Sequence, residues 1–103
     1  ILRMFEGWES SLHYHPVKHE TMMCIQGKLL VELYPEGNLE STKPVFIILD
    51  GVERTRIVLT PNTKNRLSTP FGEGGELIEF STTHDDADVV RLILSHPLEN
   101  LNV

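Results

Sequence analysis

Two imidazoles and a carboxylate stand close together in SLHYHPVKHETMMCIQG, residues 11–27. The order is His13-x-His15, then four residues, then Glu20, then six residues, then Gly27. On a strand, His13 and His15 share a face about 7 Å apart at their backbones. Both rings can then reach one ion at metal–nitrogen distances of about 2.0–2.1 Å. An antiparallel return brings the Glu20 carboxylate to the same point. Two imidazoles and a carboxylate suffice for a divalent ion (Zn, Mn, Fe or Ni) with coordination positions left open. The competing reading is a chance His-x-His in a chain with five histidines.

Other side chains could serve such a site. Lys18 can act as general acid or base, or hold a sugar hydroxyl or carboxylate; its plain alternative is a solvated turn lysine. Glu79 and Phe80 are out of phase on one strand, so one of them points inward. If that is Glu79, it can shuttle a proton; otherwise it is an ordinary exposed carboxylate. Met22, Cys24 and Gln26 share Glu20's face, Cys24 either lining the cavity or serving as a small core residue. His19 falls on the other face. His84-Asp85-Asp86 reads as a solvated acidic turn, Trp8 as packing or a subunit contact, and His96 as part of a polar tail.

The elements that must position these groups are strands. No stretch sustains the i, i+3, i+4, i+7 apolar pattern of a helix, and short runs rich in Val, Ile, Thr, Phe and Leu alternate with Gly, Pro and Asn. Strands are expected at Ile1 to Glu6, Ser10 to His15, His19 to Gln26 and Lys28 to Tyr34, with a sharp turn at Gly27. The polar loop PEGNLESTKP follows. Val45 to Asp50, Arg54 to Leu59 and Asn65 to Thr69 come next, separated by turns at Asp50-Gly51 and Pro61-Asn62. After a glycine-rich loop, Glu76 to Thr83 and Asp88 to Ser95 are expected to pair with each other. Eight or nine short strands in 103 residues make one all-β domain spanning the chain, a jelly roll or small barrel.

His13-x-His15-x4-Glu20-x6-Gly27 resembles the first motif of the cupin superfamily, G-x5-H-x-H-x3-4-E-x6-G. The leading glycine of that motif falls on Gly7. Downstream, Pro61-Asn62-Thr63-Lys64-Asn65-Arg66 is similar to the second motif, P-G-T-x-H-R. The resemblance implies a jelly roll of two antiparallel sheets with metal ligands at His13, His15, Glu20 and position 65. Asn65 stands where the fourth ligand, a histidine, is expected, and an amide oxygen is a weak ligand. The site then keeps its metal on three residues, binds it weakly, or has exchanged it for another ligand. Lys18-His19-Glu20 and the run Glu79 to His84 are also similar to sugar cupins such as D-lyxose-isomerase-like proteins. That likeness implies aldose–ketose isomerisation, with Lys18 or Glu79 moving the proton. An Fe(II) dioxygenase on the same three ligands and a non-catalytic ligand-binding cupin are the rival readings.

Composition narrows the partners. A net charge of −6 argues against nucleic acid and an anionic membrane as partners, since both need a basic patch. No apolar run approaches the ~20 residues of a membrane helix. The single cysteine, Cys24, excludes an internal disulfide and fits a reducing cytoplasm. The expected partner is a small polyhydroxy or carboxylate molecule, within a homodimer.

Overall fold

The computed structural model describes residues 1–34, 43–82, 90–93 and 96–97. Ten strands run β1 (Leu2–Met4), β2 (Trp8–Glu9), β3 (Leu12–Tyr14), β4 (Glu20–Tyr34), β5 (Val45–Asp50), β6 (Arg56–Leu59), β7 (Lys64–Ser68), β8 (Gly75–Ser81), β9 (Val90–Ile93) and β10 (His96–Pro97). Every pairing is antiparallel. No helix occurs among the described residues, so none there is long and apolar enough to cross a membrane.

The organising element is β4. Its first half lies between β6 and β8, with β1 beyond β8. Its second half lies between β5 and β7, and β7 continues to β2 and β3. One strand therefore belongs to both walls and turns an open sheet towards a barrel. The sharp turn expected at Gly27 is not a strand break. Gly27 takes a positive φ of 69° inside a continuous strand. The register against β8 slips by one residue between Cys24 and Gln26.

That bulge decides which residues form the core. Side chains alternate across a strand, so one inserted residue reverses the parity of the inward set. Before the bulge the buried positions are Glu20, Met22 and Cys24; after it they are Leu29 and Val31. Gln26, expected on the face of Glu20, is instead exposed. The two inward runs meet Leu59, Leu77, Leu49 and Leu67 from the neighbouring strands, and with Met4 they form one apolar core. Cys24 is fully buried in it, and burial pushes its thiol pKa up. It is a small core residue, not a reactive group.

Two other expectations change. The strand expected at Ser10 to His15 is shorter, limited to Leu12–Tyr14 as β3, and a separate two-residue strand, β2 at Trp8–Glu9, precedes it. The strand expected at Asp88 to Ser95, found as β9, pairs with β3, and among the described residues it has no pairing with β8. This second change matters for the site, because β3 carries His13 and is held between β7 and β9. His84-Asp85-Asp86 lies outside the described residues. The turn at Pro61-Asn62 is as expected, with Asn62 at a φ of 65°, a conformation that Asn tolerates better than most residues.

Candidate active site at one end of the barrel

Three strands of one wall begin or end together. Glu20 opens β4, and it pairs with Leu59 at the end of β6 and with Ser81 at the end of β8. Cross-strand partners project from the same face. Glu79, opposite Met22, therefore shares the inward face with Met22 and Glu20, and Phe80 points outward, 59% exposed. From the other wall, His13 pairs with Asn65, which in turn pairs with Leu33 of β4. The inward faces of both walls thus deliver ionisable groups to this end.

The contacts there are close. The rings of His13 and His15 meet edge-on, with centroids 5.1 Å apart. Lys18 Nζ lies 3.3 Å from Glu20 Oε2, and Glu20 is only 5% exposed. Lys18 is thus a partner of the buried carboxylate, not a solvated turn residue. His13 Nδ1 lies 2.8 Å from the main-chain oxygen of Ser11 and 3.1 Å from its hydroxyl. A carbonyl accepts only, so Nδ1 of the neutral ring carries the proton and Nε2 the lone pair.

Glu79 completes the cluster. Its side chain is solvent-accessible overall, yet its carboxyl is partly desolvated, and this burial raises its pKa above the usual carboxylate value. The charge of Glu20 raises it further, while Lys18 and His15 oppose the shift. A carboxyl held more basic than usual, beside a lysine and an imidazole, is suited to proton transfer.

His19 is exposed and stands outside this cluster. Its main chain instead ties the loop to the end of β8, with His19 N–H donating to Thr82 Oγ1 at 3.0 Å. Trp8 is 39% exposed. Sequence reasoning passed over Ser11, which orients His13, although its place two residues before the first histidine on an alternating strand was a usable signal. It also passed over a cleft of about 640 Å³ lined by Arg3, Phe5, Gln26, Glu73 and Glu76. That cleft lies near Gly27 and holds none of the clustered groups.

Among the described residues, no three His, Cys, Asp or Glu side chains gather as an ion would require. The Glu20 carboxylate is engaged by an ammonium. Asn65 turns its amide nitrogen onto the Thr63 main-chain oxygen at 3.0 Å. As arranged, the set does not fit a four-ligand centre.

Similarity to solved structures decides the architecture. Capsular polysaccharide assembling protein CapF from Staphylococcus aureus superposes with a TM-score of 0.73 at 12% identity, over 94% of this chain and 25% of that one. ChmJ, a 3′-monoepimerase from Streptomyces bikiniensis in complex with dTDP-quinovose, gives 0.72 at 14% identity, over 87% and 48%. The fold is the cupin jelly roll. QdtA, a sugar 3,4-ketoisomerase from Thermoanaerobacterium thermosaccharolyticum in complex with TDP, gives 0.61 at 15% identity, over 80% and 56%. This chain spans about a quarter to a little over half of those proteins. No protein-family model matches it, and no curated protein matches its sequence.

Proposed function

We propose that this cupin domain binds a small polyhydroxylated carbonyl compound, of the sugar class, at the end carrying Lys18, Glu20 and Glu79. There it moves a proton between neighbouring carbons, an aldose–ketose isomerisation. The observation that carries the reading is the position of Glu79, inward-facing, raised in pKa, and close to Lys18, Glu20 and His15. In the proposed reaction the Glu79 carboxylate takes the proton from the carbon next to the carbonyl. The Lys18 ammonium stabilises the resulting enediolate oxygen, and His15 relays the hydroxyl proton. Glu79 then returns its proton to the adjacent carbon, so no atom is gained or lost and no oxidant is needed. Sugar-modifying neighbours of the same fold support the substrate class.

The reading is tested by incubating the protein with a panel of pentoses, hexoses and nucleotide-linked keto sugars in D₂O. Exchange of one carbon-bound proton, with or without net isomerisation, is the expected result by NMR. No exchange in any of them, together with measurable binding, would favour a ligand-binding module.

A second reading keeps a divalent ion on His13, His15 and Glu20. It is favoured by the Ser11–His13 contact, because a ligating imidazole ordinarily donates its other N–H to such an oxygen. It requires Glu20 to leave Lys18. Elemental analysis of protein purified without added metal or affinity tag checks it. About one ion per chain would support it, and less than about a tenth would remove it together with the iron-dioxygenase alternative.

A further inference from the structure

The turn preceding β7 holds both histidines by their main chain. Asn62, at its positive φ, directs its N–H to His15 O at 2.8 Å. The turn is itself braced, with Thr63 N–H donating to Thr60 O at 3.3 Å and the two threonine hydroxyls 3.0 Å apart. Asn65 then sits 2% exposed, directly opposite His13 in the register. Its Nδ2 donates to Thr63 O at 3.0 Å and makes a longer contact of 3.5 Å with His13 O.

Carbonyl oxygens only accept, so the amide nitrogen has to face them, and its two N–H groups match the two oxygens. β3 has three residues, and its register against β9 is irregular between Leu12 and His13. Few ladder bonds hold such a strand, so a buried amide reaching across from β7 carries weight. We propose that Asn65 is a positioning residue. It binds the Thr60–Asn65 turn to the carbonyl of His13, keeps the histidine pair at the barrel end, and makes position 65 unsuited to ligate a metal. The inference rests on the proposed function only in treating the histidine pair as working groups.

The chemistry separates Asn from its near relatives. An aspartate has the same shape, but its carboxylate offers no donor to two carbonyl oxygens. A neutral histidine has one N–H and a larger ring, so it cannot serve both oxygens and also aim a lone pair at an ion. A glycine at position 62 keeps both the N–H and the positive φ, so Asn62→Gly is the structural control.

The full chain, labelled with ¹⁵N, is compared as wild type, Asn65→Asp, Asn65→His and Asn62→Gly. In the wild type the Asn65 side-chain amide should exchange with water at least tenfold more slowly than exposed amides. Asn65→Asp should at least halve the Nδ1–H tautomer population of His13, whereas Asn62→Gly leaves it unchanged. Zinc chloride titration of Asn65→His should give affinity within threefold of the wild type. The proposal is overturned by fast exchange of the wild-type amide, by an unaltered His13 spectrum in Asn65→Asp, or by zinc affinity raised tenfold or more in folded Asn65→His. The amide measurement needs no variant, so the test survives variants that fail to fold. None of these readouts depends on sugar turnover, so failure of the proposed reaction is seen separately.

Discussion

Glu79→Gln should lower the rate of proton exchange into the sugar by about 100-fold or more, while ligand affinity changes by less than about fivefold. The first figure is the usual contribution of a positioned acid–base group. The second follows from shape, since glutamine keeps the volume of glutamate and one accepting oxygen while losing its charge and basicity. The two carboxylates flanking this opening also repel each other, because the charge of Glu20 raises the pKa of Glu79. Removing the charge of Glu79 relieves that repulsion and the cost of burying the charge, which together outweigh the attraction of Lys18 and His15 that is lost with it. A raised carboxyl pKa means that the folded chain binds the proton more tightly than the unfolded chain. The associated cost is absent below the ordinary carboxylate pKa of about 4.3 and develops as pH rises through the folded value. The wild type should therefore lose stability over that interval, and Glu79→Gln should flatten the profile. Activity should rise with pH across the same interval, since the base must be ionised. A variant that keeps wild-type exchange rates would end the assignment of Glu79 as the proton carrier.

Much of this arrangement was legible from residue types. Alternation placed His13 and Glu20 on inward faces, and Asn62 marked its own turn by tolerating positive φ. The histidine spacing pointed to the end of the barrel where Lys18, Glu20 and Glu79 gather. What local pattern could not supply was the route of β4. A glycine between two apolar runs reads equally as a hairpin turn or as a bend within one strand. Only the two walls competing for the same strand settle which it is. The parity reversal at Cys24–Gln26 follows from that bend, so the face assigned to Gln26 failed while that of Glu20 held. The partner of the last strand was hidden for a related reason. Sequence neighbours such as β8 and β9 are the default pair, and only the open side of β3 redirects β9. Lys18 was ambiguous because an ion pair with a residue two positions away, across a strand start, has no period to betray it.

The bend makes a second strong prediction. Gly27→Ala should cost at least about 3 kcal/mol, out of the 5–15 kcal/mol typical of a domain this size. In a chain of about 100 residues this lowers the melting temperature by more than about 12 °C, or prevents folding. Two causes act together. A β-carbon at a φ of 69° is strained, which costs of the order of 1 kcal/mol or more. It would also collide with the carbonyl oxygen of Gly74, a main-chain atom that cannot swing aside like a side chain. Gly74 is itself wedged close to the main chain of Met4, so β8 cannot retreat without disturbing β1. The carbonyl of Gly27 meanwhile accepts the Gly51 N–H at 2.8 Å, which prevents β4 from moving the other way. Gly72→Ala separates the two causes, because Gly72 has a φ of 79° but open space around it. It should pay for strain alone, about 1 kcal/mol by denaturant unfolding. If Gly27→Ala loses no more than Gly72→Ala, the close approach of β4 to the Gly74–Gly75 segment is not what fixes the bend. The parity reversal that puts Glu20 and Leu29 into one interior would then need another cause.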